Sequence, residues 1–135
     1  MSSPSVLIVD DNEMFIEAAA FILRAAAYVV ESASDASHAL LQIPEFQPDL
    51  ILMDIEMPVM NGLELTRRLK ADPTTRHIVV VAFTSYAIKG DEGKLRDAGC
   101  DGYISKPVDV MTLAAEVRFW LEGAANEQGK RFAWP

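Results

Sequence analysis

The sequence contains a single cysteine, Cys100, in 135 residues. One cysteine cannot form a disulfide within the chain, and it cannot supply the several thiolates of a metal–thiolate cluster. The chain must therefore fold without such crosslinks. That is feasible because a domain of about this size buries roughly two-thirds of the surface that its unfolded chain exposes. The lack of disulfides agrees with a reducing compartment.

Long apolar runs are also missing. No run approaches the roughly 20 apolar residues that a membrane-spanning helix needs. The N-terminal stretch MSSPSVLIVDDNE lacks the basic region and the long apolar region of a signal peptide. These absences predict a soluble, cytoplasmic protein that does not associate with membranes.

Basic residues are outnumbered, with 12 Lys and Arg against 20 Asp and Glu and a formal net charge of −8. Proteins that bind nucleic acid usually present a basic face to the phosphates, so this balance predicts no nucleic-acid partner. A glycine-rich phosphate loop followed by Lys and Ser or Thr is absent as well, which argues against nucleotide binding. An excess of acid suits a site for a divalent cation.

Short apolar runs mark the predicted strands. Three of them, at 6–9, 50–53 and 78–83, are continuous rather than alternating, which is typical of strands buried on both faces. Weaker candidates lie at 28–31 and 102–105. Helical patterns separate the five runs, so the chain is predicted to form an α/β domain with a parallel sheet covered on both faces. Right-handed crossovers favour the strand order 2-1-3-4-5.

The first two helical segments have apolar residues spaced by three and four, which predicts the face that each turns to the core. For the first segment that face consists of Met14, Phe15, Ala18, Phe21, Ile22 and Ala25. The second is predicted to begin with Ser34 as its N-cap. It is predicted to end at Pro44, because proline interrupts a helix.

The third and fifth segments follow the same pattern. The third opens after Asn61 and Gly62, with Leu65 and Leu69 predicted to point inward. Its predicted outward residues are Arg67, Arg68 and Lys70. The fifth begins near Asp109, and its predicted core stripe consists of Val110, Leu113, Ala114, Val117 and Leu121.

The fourth segment, residues 87–98, is predicted to be a marginal helix. It contains Gly90 and Gly93, each of which costs up to ~1 kcal/mol relative to alanine. Its apolar face is thin, with Ile88, Leu95 and Ala98 as the predicted anchors. Weakly held elements rearrange at low cost. Beyond the fifth helix little chain remains, so we predict one domain over residues 1–122, a flexible tail over residues 123–135, and no separate output domain.

Polar residues follow the apolar runs where the strands are predicted to end. Asp10 and Asp11 follow the first strand, Asp54 the third, Thr84 the fourth and Lys106 the fifth. Because ligands of open parallel sheets bind beyond the carboxyl ends of the strands, these side chains are expected to converge. Taken singly, each has an ordinary explanation. Asp11 suits a helix cap, Thr84 a turn and Lys106 a solvated surface charge.

Taken together, the same residues predict a site for phosphoryl transfer to an aspartate. Carboxylates held close together repel one another, and a magnesium ion, which prefers oxygen ligands, removes that cost. Such an ion also neutralises charge on a phosphoryl group during transfer. A lysine and a hydroxyl would bind the remaining phosphoryl oxygens, and an aspartate carboxylate can form an acyl phosphate.

Four motifs around these residues resemble the receiver domain of response regulators in two-component signalling. They are VDDN at 9–12, LMDIEMP at 52–58 with NG at 61–62, FTSYA at 83–87 and GYISKP at 102–107. All four occur in the family's order and spacing, over residues from about 5 to 122. The resemblance implies a flavodoxin-like (βα)5 three-layer sandwich with a parallel five-stranded sheet.

The resemblance also implies a magnesium site around the phosphoacceptor. By position, Asp54 would accept the phosphoryl group. Asp11 and Asp54 would bind Mg²⁺ directly with Asp10 close by, and the backbone carbonyl of Glu56 would complete the protein ligands.

Other matching positions would bind and sense the phosphoryl group. Lys106 would pair with it and Thr84 would move toward it, so these two residues count as catalytic. Thr84 and Tyr103 would act together as the conformational switch, and the bond from Lys106 to Pro107 is usually cis in this family. Ala27 departs from the pattern, since glycine often ends the first helix there; a left-handed backbone would strain an alanine.

The resemblance implies a signalling protein rather than a turnover enzyme. A histidine kinase or phosphotransfer protein would donate the phosphoryl group, and the domain would assist its own phosphorylation and dephosphorylation. A downstream protein target would then bind the face formed by helix four, strand five and helix five. The implied state is a monomer or weak dimer. A stand-alone regulator is favoured over a phosphorelay shuttle or a phosphate sink.

Two other classes share parts of this pattern. Magnesium-dependent phosphatases of the haloacid dehalogenase type have a second aspartate two residues after the nucleophile. Here Asn12 follows Asp10 and Glu56 follows Asp54 at that spacing. Receiver-like interaction modules that are not phosphorylated typically lack an acidic residue or the lysine, and this chain has them all. The sequence therefore favours a phosphorylated receiver.

Overall fold

Five strands alternate with five helices in the computed structural model, which describes residues 3–57, 61–84, 92–106 and 109–126. The elements are β1 Ser5–Val9, α1 Glu13–Ala25, β2 Val29–Ala33, α2 Ala36–Phe46, β3 Leu50–Asp54, α3 Gly62–Ala71, β4 Val79–Thr84, α4 Glu92–Ala98, β5 Gly102–Ser105 and α5 Val110–Asn126. All neighbouring strands pair in parallel, in the order β2-β1-β3-β4-β5. The predicted fold and strand order are confirmed.

Alternate residues of each central strand supply two apolar cores, because successive side chains in a strand point to opposite faces. On one face Leu7 and Met53 pack with α2 and α3 residues such as Ala39 and Leu65. The other core lies against α1 and α5 and includes Ile8, Leu52, Phe83, Leu23 and Leu113. The result is the predicted three-layer sandwich.

The predicted core face of α1 is wrong at four of its six residues. Met14 and Phe21 are 82% and 72% exposed, and Ala18 and Ala25 are exposed as well. The residues that α1 buries are Ala19, Ala20 and Leu23, with Phe15, Ile16 and Ile22 half-buried. Apolar residues occur all round this helix, so spacing alone does not select the face. The small alanines allow α1 to approach the sheet closely, where the ring of Phe15 lies 4.9 Å from that of Phe83.

The boundaries of β2 and α2 differ from those predicted. The strand runs from Val29 to Ala33, two residues beyond the predicted end. Asp35, not Ser34, caps α2 by accepting a hydrogen bond from the backbone N–H of His38. Pro44 lies inside the helix, which continues because Pro44 costs one hydrogen bond in the last turn while Gln47 N still donates to the Ile43 carbonyl at 2.8 Å.

Lys70 was predicted to point into solvent, and this prediction is wrong. Leu65 and Leu69 are buried and Arg67 and Arg68 are exposed, as expected. The ammonium of Lys70 instead lies 2.9 Å from Asp101 Oδ2 and donates to the carbonyl oxygen of Ile78. Asp101 was not singled out from the sequence, and its partner is distant in the chain. Local periodicity therefore gave no sign of the pair.

The last two helices complete the layers. Leu95 and Ala98 anchor α4 as predicted, whereas residues 87–91 lie outside the described part of the chain. In α5 the buried Trp120 was not among the predicted core residues. It packs against Gly102, where a Cβ would lie 2.4 Å from the indole ring. The helix continues to Asn126, past the predicted boundary at 122. None of the helices within the described ranges has the length and apolar character needed to span a bilayer.

Candidate functional site

Three carboxylates meet at the carboxyl edge of the sheet. One oxygen from each of Asp10, Asp11 and Asp54 lies within 4.8 Å of the other two. Asp10 and Asp54 are buried, whereas Asp11 is exposed. Carboxylate oxygens at this spacing are the donor set that a hard divalent cation requires, so these residues fit a magnesium ion.

The β1–α1 turn holds the first two of these aspartates. Asp10 Oδ1 accepts a hydrogen bond from the backbone N–H of Asn12 at 2.8 Å. Asn12 in turn caps α1 by accepting from the N–H of Phe15. Because the turn is fixed by side-chain hydrogen bonds at both ends, Asp11 is held between them at the rim of the cluster.

Asp54 ends β3, and its side chain is only 3% exposed. Its Oδ1 accepts from the backbone N–H of Glu56 and from Lys106 Nζ, each at 2.9 Å. The loop after Asp54 packs tightly on α3, since a Cβ on Gly62 would lie 2.5 Å from the Asp54 carbonyl oxygen. Gly62 is therefore required for the close approach of α3 to the site.

Lys106 follows β5 and reaches back across the site. Its backbone N–H donates to the Thr84 carbonyl at 3.0 Å, and its Nζ contacts Asp54 Oδ1 at 2.9 Å and Glu56 Oε1 at 3.1 Å. Burial lowers the pKa of Lys106, but the hydrogen bonds and charges of the two carboxylates outweigh this, so its pKa lies above the ordinary value. The side chain is a permanent cation at neutral pH.

The pKa of Asp10 is raised from 3.8 to about 6. Burial is the main cause, and the hydrogen bond from Asn12 opposes it; the negative charges of Asp54 and Asp11 raise the pKa further. A cation bound between the carboxylates would reverse this effect. The cluster is thus electrostatically unfavourable by itself, as expected for a cation site.

The structure brings together most of the residues predicted for the site. Asp10, Asp11, Asp54 and Lys106 converge, and Thr84 is buried at the end of β4. Tyr103 is half-buried and packs against the core beside α2 and α3. Pro107 and the Ser85 and Tyr86 positions lie outside the described residues, as does Pro58.

The side-chain contacts of Glu56 were not predicted from the sequence. Its predicted role as a metal ligand concerned the backbone carbonyl, and the structure shows in addition that its carboxylate lies 3.1 Å from Lys106 Nζ and 3.4 Å from Thr84 Oγ1. The available signal was its place two residues after Asp54, at the same edge of the sheet. Which neighbour it contacts depends on long-range packing.

A buried aspartate beside two further carboxylates and an ion-paired lysine, at the carboxyl edge of a 2-1-3-4-5 sheet, defines a receiver. In agreement, residues 6–118 match the model of the response regulator receiver domain. The chain belongs to this family and is a receiver domain of a response regulator.

Known relatives and structures agree with that assignment. The chain is 42% identical over 120 residues to the polar-differentiation response regulator DivK of Brucella anthropi, covering 89% of this chain and 98% of that protein. A CheY-like receiver domain protein from Methanospirillum hungatei is 30% identical with a TM-score of 0.84, covering 93% and 99%. The receiver domain of a Pseudomonas aeruginosa sensor histidine kinase, 28% identical with a TM-score of 0.79 over 90% and 99%, was solved with a magnesium ion coordinated in its active site cleft.

Proposed function

We propose that Asp54 accepts a phosphoryl group and that Lys106 and Thr84 bind the oxygens of that group. The observation that carries the proposal is the 2.9 Å contact of Lys106 Nζ with Asp54 Oδ1, next to the three-carboxylate cluster. This arrangement places three things together: Asp54 as the nucleophile, the Lys106 ammonium for the phosphoryl oxygens, and a carboxylate cluster that can hold a metal cation.

Mg²⁺ is the cofactor in this proposal. Asp11 and Asp54 would hold it directly with Asp10 beside them, and the carbonyl of Glu56 would be the remaining protein ligand. When bound, the ion supplies positive charge that offsets carboxylate repulsion and the charge of the phosphoryl group. The fit rests on the 4.8 Å grouping of carboxylate oxygens and on the raised pKa of Asp10.

The transfer is a displacement at phosphorus. A carboxylate oxygen of Asp54 forms a bond to phosphorus, and the bond from phosphorus to a histidine nitrogen of the donor breaks, its electron pair remaining on that nitrogen. We assign Oδ2 as the attacking oxygen, because the hydrogen bonds from Lys106 and from the N–H of Glu56 both go to Oδ1. Water later cleaves the acyl phosphate, which releases inorganic phosphate and returns the Asp54 carboxylate, so the chain is a phosphoacceptor rather than a turnover enzyme.

The proposed output is a change in the face formed by α4, β5 and α5. The phosphoryl group adds a charge of about −1.5 to −2, Thr84 moves toward it, and Tyr103 turns inward behind Thr84. The phosphoryl group shifts the equilibrium between two conformations of the domain because it interacts more favourably with one of them. The proposed partners are a histidine kinase or phosphotransfer protein as donor and a downstream protein as target, with a diffusible regulator as the overall role.

Incubation with acetyl phosphate and Mg²⁺, followed by intact-mass measurement, tests the phosphoacceptor. We expect one added phosphoryl group in the wild type, none in Asp54→Asn, and none when EDTA removes the metal. Asp97→Asn is the matched control, because Asp97 is an exposed aspartate on α4, and it should be phosphorylated like the wild type. Hydrolysis of an added phosphate ester without a protein adduct would instead indicate a phosphatase. An adduct that persists in Asp54→Asn would place the phosphoacceptor elsewhere.

A further inference from the structure

The side chain of Lys106 crosses a strand to meet the proposed phosphoacceptor. Strand β4 lies between β3, which Asp54 ends, and β5, which Lys106 follows. Because neighbouring strands are about 4.8 Å apart, the side chains of Lys106 and Asp54 together bridge two strand spacings, roughly 10 Å. Their charged atoms meet at 2.9 Å. The side chain that β4 presents at this point therefore borders the ammonium.

The β4 residue at this point is Phe83. It is paired with Asp54 in the β3–β4 register and with Ile104 in the β4–β5 register. Side chains at paired positions of neighbouring parallel strands point to the same face of the sheet, so the Phe83 ring lies beside the Asp54 carboxylate. The Nζ of Lys106 lies over this ring, 5.9 Å from its centroid. An aromatic face attracts an ammonium within about 6 Å.

The Phe83 ring is itself held in a fixed orientation. Its side chain is 1% exposed and packs in the core between the sheet and helices α1 and α5. The ring of Phe15 lies 4.9 Å away at an interplanar angle of 55°, a tilted arrangement that aromatic pairs favour. Phe15 belongs to the first turn of α1, which Asn12 caps. The aromatic face under Lys106 is thus supported by the same β1–α1 turn that positions Asp10.

Lys106 benefits from this support because its carboxylate partners do not enclose it. The side chain is 29% exposed, so the ammonium can also turn into water. A phosphoryl group requires the ammonium beside Asp54, and the apparent affinity falls with the fraction of protein in which the ammonium is elsewhere. Because the ring attracts the ammonium to its place over β4, it increases the fraction of the protein that is ready to bind.

We propose that Phe83 is a positioning residue for Lys106, whose aromatic face holds the ammonium over β4 and beside Asp54 in readiness for the phosphoryl group. The inference rests on the proposed function of Asp54 and Lys106. It assigns to Phe83 a part in phosphoryl binding that an aliphatic residue could not perform, although an aliphatic residue could also pack in the core.

Replacement of Phe83 by 3,4,5-trifluorophenylalanine tests the proposal, because fluorine withdraws electron density from the ring face and nearly preserves the shape and apolar character of the side chain. The measurement is the dissociation constant of beryllofluoride, an analogue of the phosphoryl group, with Mg²⁺ present. We expect roughly two- to fivefold weaker binding, with a monofluorinated ring giving an intermediate value. The matched control is the same trifluoro substitution at Phe46, a half-buried phenylalanine of α2 that packs against the other core. It should leave the affinity unchanged.

A second readout needs neither the metal nor the phosphoryl analogue. Ring currents shield protons that lie over an aromatic face. NMR of the metal-free protein should therefore show the methylene protons next to the Lys106 ammonium upfield of their position in Phe83→Leu. Equal shifts in both proteins would overturn the proposal, since the ammonium would not lie over the ring.

An affinity for beryllofluoride that does not change with fluorination would contradict the proposal as well, because the ring would then serve only to fill the core. If Phe83→Leu does not fold, the fluorine series decides the question by itself.

Failure of the inference and failure of the proposed function are distinguishable. If the wild type is phosphorylated on Asp54 and all Phe83 variants match it in beryllofluoride affinity, only the inference fails. If the wild type neither gains a phosphoryl group nor binds beryllofluoride, both fail.

Discussion

At the residue scale, Asp10 shows how the site is held at a cost to stability. It is buried beside Asp11 and Asp54, and its pKa is raised to about 6. A carboxyl group whose pKa is higher in the folded than in the unfolded state binds its proton more tightly when folded. Its contribution to the free energy of unfolding is therefore greatest at low pH and falls as the pH rises between about 4 and about 6.

Replacement of Asp10 by asparagine should stabilise the metal-free protein at neutral pH. Asparagine keeps an oxygen for the Asn12 N–H but carries no charge, so Asp10→Asn should gain at most about 3 kcal/mol over the wild type above pH 6. The gain should shrink to near zero below pH 4, where Asp10 is protonated in both states. Urea unfolding in EDTA at pH 4, 5, 6 and 7 measures it. A stability difference that does not change with pH would show that the charge of Asp10 is not the cause.

At the element scale, the end of α1 is the clearest strained segment. Ala27 has φ 75°, in the left-handed region that favours glycine. The conformation is kept because it lets the chain turn toward β2, with the N–H of Tyr28 donating to the carbonyl of Leu23. Ala27 stands where the family often has glycine, and its left-handed backbone is therefore strained, as expected from the sequence.

Replacement of Ala27 by glycine should stabilise the protein by about 0.5–1 kcal/mol, because the relief of left-handed strain exceeds the added backbone entropy of glycine. The neighbouring Ala26 is the control, since its φ is −91°. Ala26→Gly should be destabilising by a similar amount. Chemical denaturation of both variants measures the pair, and the same sign for both would contradict the argument.

At the scale of the whole molecule, Lys70 and Asp101 join parts that are distant in the chain. Lys70 lies on α3, and its ammonium binds both the carbonyl of Ile78 before β4 and the carboxylate of Asp101 before β5. Asp101 also accepts from the N–H of Val80. The side chains are 18% and 8% exposed, so this ion pair is largely removed from water and depends on both partners.

Loss of one partner should cost more than loss of both. Lys70→Met should lower the free energy of unfolding by about 3 kcal/mol, because a buried carboxylate loses its cation. The double variant Lys70→Met/Asp101→Asn should recover part of that loss. Arg68→Met, which breaks the exposed pair with Glu64 at 3.6 Å, should change stability by less than about 1 kcal/mol. Equal losses for Lys70→Met and Arg68→Met in urea unfolding would rule out a special role for the buried pair.

The strands of the sheet could be predicted from the sequence more completely than the buried faces of the helices. The runs at 6–9, 50–53 and 78–83 could be recognised because strands buried on both faces are apolar throughout. The core face of α1 could not, because Met14 and Phe21 have the helical spacing of core residues and yet are exposed. Helical spacing identifies an apolar face of a helix. Where a helix has more than one apolar face, the elements packed against it decide which face is buried.

For the site, the sequence by itself determined that Asp10, Asp11, Asp54 and Lys106 meet, because all follow strands of one parallel sheet and such strands end at the same edge. Only the tertiary structure decided that Glu56 contacts Lys106 and that Lys70 pairs with Asp101. The physical reason is the range of the interactions. Strand runs and caps are set by neighbours in the chain, whereas a charged side chain on a loop or helix pairs with whichever opposite charge the packed layers bring within about 3 Å.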